Sequence, residues 1–177
     1  MNPYGVSKAA QSLLGWQYFK SYNLKIIRTR TFSYSGPGQA PLFPCSSFAR
    51  KVAAFDDNDI EATIRVHSLD GYRDYLDIRD IICAYWLLSE KGKSGKVYNV
   101  CSGKCVQMRE ILIVLLELSP REIKIEEDPG QERPTDIPET VGDNSKLSAC
   151  TGWEPEIPLQ QMLNDEYEYW RKHIEQS

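Results

Sequence analysis

Tyr4 and Lys8 stand four residues apart near the start of the chain, with Ser7 between them, in the stretch MNPYGVSKAA. At about 100° per residue a helix sets positions four apart only about 40° from each other on its surface. Val6, Ala10 and Leu13 fall on the opposite side. The phenol and the ammonium therefore share a face away from the apolar stripe. A free Tyr phenol has a pKa near ~10, too high for easy proton exchange at neutral pH. A nearby cation favours the phenolate and lowers that value. Such a pair suits general acid/base work on a carbonyl–alcohol interconversion. Tyr and Lys at this spacing are also commonplace on helix surfaces, and taken alone that ordinary reading outweighs the chemical one.

Other candidate chemistries are weaker. Gly92-Lys93-Ser94 has the look of the end of a phosphate-binding loop, but that motif needs a Gly five residues earlier, where Leu87 stands. Gly36-Pro37-Gly38 begins like a dinucleotide fingerprint, but the third Gly is replaced by Pro41. The five cysteines, Cys45, Cys83, Cys101, Cys105 and Cys150, form no C-x-x-C pair, and the two histidines lie far from Cys101 and Cys105. Reduced thiols and no metal site are expected.

The chain has 177 residues, 41% of them apolar and 26% charged, which fits a soluble globular unit. Its formal net charge is −4, so the basic footprint of a nucleic-acid binder is missing. No run approaches the roughly 18 apolar residues of a membrane span, and nothing at the start has the form of a signal peptide. A cytoplasmic protein is the expectation.

Asn2 and Pro3 suit the cap and first position of a helix running to about Tyr22. LKIIRTRTF, from Leu24 to Phe32, reads as a strand, and SGPGQAPLFP as a Gly/Pro loop. A helix is expected across Ser46 to Phe55, a strand at ATIRVH, and a turn with a short extended piece at LDGYRDYL. A helix capped by Asp77 should end near Gly92, followed by a strand at KVYNV and a very apolar helix at MREILIVLLEL. EIKIEED alternates as a strand does, DPGQERPTDIPE is a loop, Asp143 caps a short helix, and a last helix spans Leu159 to about Ile174. Strands alternating with helices predict an α/β fold with mostly parallel strands.

Five segments taken together carry a resemblance: NPYGVSKAA, IIRTRTFSYSGPGQ, GYRDYLDIRDIICAYWLL, GKVYNVCSG, and RPTDIPETVGDNSKLSACTGWEPEIPLQQML. In this order they resemble the C-terminal half of the extended short-chain dehydrogenase/reductases that act on nucleotide sugars. The nearest members are the GDP-4-keto-6-deoxy-mannose reductases, and the GDP-mannose 4,6-dehydratases are similar. The resemblance runs from Asn2 to Trp170 and is specific in combination. It implies a Rossmann-like fold, with residues 1–35 as the catalytic helix and following strand and 36–177 mainly as the nucleotide-sugar lobe. The family's N-terminal dinucleotide-binding sheet, and the Ser/Thr partner of the Tyr, would be absent. Ser7 lies inside the motif and does not replace that partner.

By this resemblance Tyr4 is the acid/base and Lys8 holds the nicotinamide ribose. Phe32 and Ser33 would lie beside cofactor and sugar, although Ser33 and Tyr34 depart from the family's Asn-His. Ser offers a single hydroxyl on a shorter arm where Asn both donates and accepts. Arg73 and Arg133 would meet the diphosphate, which the forked guanidinium suits. Asp136 would accept from the ribose. Arg50 and Lys51 are further candidates for substrate contact. The plain alternatives are a strand ending in a turn for Phe32 and Ser33, a surface pair of Arg73 with Asp74 or Asp77, a solvated helix face for Arg50, and a Pro-guided loop for Arg133 and Asp136. Asp77, Asp80 and Glu110 read as structural. The implied function is reduction of a GDP-linked 4-keto-6-deoxy sugar with NAD(P)H. Dehydratase and 4-epimerase activities are the close alternatives, and a non-catalytic module is the distant one. GDP-linked substrates are favoured over UDP-linked ones, a homodimer is expected, and the 177 residues alone should be inactive for want of the cofactor half.

Overall fold

The computed structural model describes residues 2–55, 62–128 and 138–174. It opens with α1 (Pro3–Tyr22), whose Asn2 side chain accepts from the Gly5 N–H at 2.7 Å, and which ends at Asn23 in the left-handed conformation. There follow β1 (Arg28–Thr31), β2 (Ser33–Ser35), α2 (Pro44–Ala53), β3 (Thr63–Val66), β4 (Tyr72–Arg73) and β5 (Tyr75–Asp77). Next come α3 (Ile78–Lys91), β6 (Val97–Val100), β7 (Val106–Gln107), α4 (Met108–Leu118) and β8 (Lys124–Glu127). The chain continues with β9 (Glu139–Thr140), α5 (Ser145–Thr151) and α6 (Leu159–Ile174).

The strands form short sheets. β1 pairs with β6, β2 with β5, β3 with β8 and β4 with β9, all parallel, while β4 pairs antiparallel with β7. This is the mixed α/β, mostly parallel arrangement that the alternation of elements predicts. Two cores hold it. Ala49 and Val52 of α2, Ile64 of β3, Ile111, Leu112 and Leu115 of α4 and Leu163 of α6 make the first. Leu76, Ile81, Ala84, Leu88, Tyr98, Val100, Leu147 and Trp153 make the second. Full burial of a Leu, Ile or Val side chain contributes about 1.5–3 kcal/mol.

Two expectations change. The strand expected from Leu24 to Phe32 is two strands. β6 offers only Val97–Val100 as partner, and the pairing changes over at Phe32, whose N–H donates to the Val100 carbonyl at 3.0 Å. β2 then pairs with β5 instead. The short helix α5 begins one residue later than expected, with Asn144 at its cap position. Asp143 still supplies the capping bond, accepting from the Ser145 N–H at 2.8 Å, and that contact holds its carboxyl below the usual range. The apolar stripe of α1 is open: Val6, Leu13 and Leu14 are exposed and no residue of the helix is buried. α1 is tied down at Gly15, which lies against Ile26 and Arg28, and by the Arg28 guanidinium, which donates to the Ser12 and Gly95 carbonyls.

Asp77 caps α3 through the Arg79 N–H at 2.8 Å and pairs with the Arg79 guanidinium. Asp80 accepts from the Glu156 and Ile157 N–H groups, which fastens the segment ahead of α6 to α3. Both serve the architecture. All five cysteines are free thiols. Among the described residues no helix is long and apolar enough to cross a membrane.

Candidate active site

The ends of β1 and β2, the start of α2 and the β4–β5 edge enclose an open cavity of about 890 Å³. Tyr4, Phe32, Ser33 and Arg73 all line it, so four of the residues singled out in the sequence come together from three separate segments. Tyr4 stands at the rim with its ring 70% exposed, and the Lys8 ammonium lies 5.5 Å from the ring centroid. The same ammonium reaches Gln11 Oε1 at 3.5 Å. The phenol and ammonium thus share one open face of α1. Ser7 donates its hydroxyl to the Tyr4 carbonyl at 2.7 Å, which commits it to the helix backbone.

Phe32 is placed by its N–H bond to the Val100 carbonyl between β1 and β2, and Ser33 by its register with Tyr75 across the parallel β2–β5 pair. Arg73 does not pair with either neighbouring carboxylate. Its Nη1 donates to the Tyr72 carbonyl at 2.7 Å and the Pro138 carbonyl at 3.5 Å. Asp74 is fully buried: Oδ1 accepts from the Ser102 N–H and hydroxyl, both at 2.7 Å, and Oδ2 from the Gly103 N–H at 3.0 Å and the Gly142 N–H at 3.1 Å. Side chains alternate along an extended chain. With Asp74 anchored inward, Arg73 and Tyr75 face the cavity on either side of it.

Arg50 does not line the cavity. Its guanidinium lies 5.6 Å from the Trp170 ring centroid, and its neighbour Lys51 is the α2 cation that lines the site, where it donates to the Arg65 carbonyl at 2.9 Å. Arg133 and Asp136 lie outside the described residues. Among the described residues the lining brings in the cations Lys51 and Arg73, with His67, and no carboxylate. That balance suits an anionic group such as a phosphate.

Sequence reasoning missed Tyr75, His67 and Gln39. Tyr75 had a signal: it stands two residues from Arg73 in an extended stretch, and so on the same side. Behind the cavity wall sits a buried group of ionisable side chains that the sequence reading also missed. Burial, and then the nearby Glu166, push the Cys45 thiol up to about 12. Burial, then Cys45, raise Tyr75 above the usual phenol range. Burial pushes Glu166 up to about 7, against the opposing pull of hydrogen bonds. Cys101, next to Asp74, is raised by burial to about 11. These thiols are protonated and unreactive at neutral pH. Among the described residues no group of three or more His, Cys, Asp or Glu could hold a metal ion.

The parallel-rich α/β frame is that of the NAD-dependent epimerase/dehydratases, the class of its solved structural neighbours. The family model described as GDP-mannose 4,6 dehydratase matches residues 1–166, and the chain belongs to that family. It is 34% identical over 173 residues to the GDP-6-deoxy-D-mannose reductase of Pseudomonas aeruginosa, a match covering 98% of this chain and 57% of the relative. It is 26% identical to the human dTDP-D-glucose 4,6-dehydratase, covering 98% of this chain and 49% of that protein. The structure of RMD from Pseudomonas aeruginosa complexed with NADPH superposes with a TM-score of 0.89 at 33% identity, over 98% of this chain and 57% of that one. The chain therefore spans about half the length of the curated relatives it matches.

Proposed function

We propose that these 177 residues form the substrate lobe and proton-donating helix of a nucleotide-sugar reductase that acts on a GDP-linked 4-keto-6-deoxy-mannose with NAD(P)H. The observation that carries this is the gathering of Tyr4, Phe32, Ser33 and Arg73 on one cavity whose described lining residues include the cations Lys51 and Arg73 and no carboxylate. The identity to a GDP-6-deoxy-D-mannose reductase favours GDP over other nucleotides and reduction over dehydration or epimerisation.

In this reading the Tyr4 phenol gives its proton to the carbonyl oxygen of the sugar, and the Lys8 ammonium stabilises the phenolate left behind. Arg73, with Arg133, takes the diphosphate; Asp136 accepts from the ribose hydroxyls; Phe32 and Ser33 bound the sugar. Lys51, rather than Arg50, supplies the α2 cation to the cavity. The open face shared by Tyr4 and Lys8 fits the nicotinamide–ribose end of a dinucleotide. That cofactor, when bound, supplies the hydride. The chain carries no G-x-G-x-x-G turn, so the cofactor's diphosphate would be held by residues outside these 177.

Calorimetric titration of the 177-residue chain with GDP-mannose, beside fluorescence titration with NADPH, tests both halves of the proposal. The nucleotide sugar is expected to bind and NADPH to show no saturable binding below the millimolar range. Absence of any GDP-mannose binding would sink the substrate assignment, and micromolar NADPH binding would sink the division of the cofactor site. We also propose that the protein is a homodimer, because Val6, Leu13, Leu14 and Tyr18 leave an apolar surface on α1 that favours association. Sedimentation at micromolar concentration should give twice the mass of one chain; a clean monomer with an ordered α1 overturns this.

A further inference from the structure

Glu166 of α6, Ser35 of β2 and Ser46 of α2 are fully buried, and they meet behind the cavity wall. Ser35 Oγ lies 2.6 Å from Glu166 Oε2 and 2.7 Å from Gln39 Oε1. The Gln39 amide is oriented by its other end, since Nε2 donates to the Tyr34 carbonyl at 2.9 Å, so Oε1 must be an acceptor. A serine hydroxyl has one proton and cannot donate to both contacts. Glu166 must carry the second proton. The remaining Glu166 oxygen, Oε1, is buried with no hydrogen-bond partner among the described residues. Ser46 lies close, but its own proton goes to the Gln39 carbonyl at 2.7 Å, and it accepts from Trp170 Nε1 at 3.0 Å. A buried carboxylate with one oxygen unsatisfied costs more than a neutral acid in the same place.

We propose that Glu166 is a neutral carboxylic acid that acts as a positioning residue for the cavity: its proton sets the direction of a hydrogen-bond chain from Glu166 to Ser35 to Gln39 to the Tyr34 carbonyl. Ionisation turns the Ser35 hydroxyl toward the carboxylate. Gln39 Oε1 then loses its donor, and the wall carrying Ser33, Tyr34 and Gln39 loosens. What the cavity binds follows the reductase reading, but the proton chain does not depend on it.

The facing groups agree with a neutral Glu166. Cys45 comes from α2 and Tyr75 from β5, both kept protonated by burial, while Asp77 at the end of β5 adds like charge. α4 contributes the apolar Ile111, Leu112 and Leu115 to the core shared with Met162 and Leu163. The glycines on either side of Pro37 make the loop follow this network closely. Gly36 packs on Ile78, where a Cβ would come within 2.7 Å, and Gly38 sits at φ +87°.

The linkage has a definite sign. An acid whose proton is held more tightly in the folded state adds stability below its ordinary value, and this is lost as pH rises through the folded value. The window runs from 4.5 to about 7.

Three proteins, the wild-type chain, Glu166→Gln and Ser35→Ala, are to be compared by carbon NMR of the glutamate carboxyls and by amide exchange of residues 34–39 from pH 5 to 8.5, corrected for intrinsic rates. In the wild type one glutamate should titrate near neutrality, and protection of residues 34–39 should drop about tenfold across the same range. Glu166→Gln donates to Ser35 at every pH, so protection should be retained and flat. Ser35→Ala should lower protection throughout while the Glu166 carboxyl still titrates high. A Glu166 carboxyl that titrates near its ordinary value in the wild type overturns the proposal even if neither variant folds, as does an unchanged pH dependence in Glu166→Gln. None of these readouts uses a sugar or a dinucleotide. A failed reductase assignment would leave them intact.

Discussion

Asp74→Ala should lower the unfolding free energy by about 3 kcal/mol, and Asp74→Asn by nearly as much. The Asp74 carboxylate accepts four hydrogen bonds, three of them from backbone N–H groups of Ser102, Gly103 and Gly142. Removing the acceptor strands those donors at about 1–3 kcal/mol each where water cannot reach, and less at the half-exposed positions. The Asn variant is the sharper test. An amide has one acceptor oxygen and one NH₂, and both Asp74 oxygens face backbone donors. Either orientation therefore points an N–H at an N–H. Urea denaturation with a common m-value measures this; an Asn variant within about 0.5 kcal/mol of wild type would contradict the four-fold accepting arrangement. The consequence reaches the cavity, because Asp74 lies between Arg73 and Tyr75 and fixes which way both point. Arg73 should then lose grip on an anion without having been changed.

In a form of the protein that turns over a 4-keto sugar, Tyr4→Phe should reduce kcat by about 10²–10⁴-fold, the usual contribution of a positioned general acid. KM should move little, since the ring that borders the cavity is retained. Stability should be unchanged, because the ring is 70% exposed at the rim and no core contact is lost. Steady-state kinetics beside a thermal melt separates the two effects. A kcat within about tenfold of wild type would remove Tyr4 from the chemistry and return the Tyr4/Lys8 spacing to an ordinary helix surface.

Local elements were legible because their causes are local. Asn2 with Pro3 starts α1 at the expected residue, and Asp77 caps α3 through the Arg79 N–H two residues on. The run from Leu24 to Phe32 misled because an apolar stretch records β propensity and not the length of its partner. Only the four residues of β6 decide where β1 stops. Arg50 and Lys51 are adjacent on α2, about 100° apart around the helix, and nothing in their order tells which one faces a ligand. In the folded chain Arg50 packs on Trp170 and Lys51 lines the cavity.

Glu166 shows the boundary most plainly. The sequence by itself set a carboxylate on the same face of α6 as Met162, Leu163 and Tyr167, an acid on an apolar stripe, and it placed Tyr4 and Lys8 on one face of α1. Capping and the 3.6-residue period act over a few neighbours, so they can be read along the chain. The tertiary structure alone decided that Glu166 meets Ser35 from 131 positions away, that Ser35 has one proton for two acceptors, and that Tyr4 and Arg73 share a cavity. Protonation state and site geometry depend on which distant groups arrive and how much water they exclude, and no local spacing encodes that.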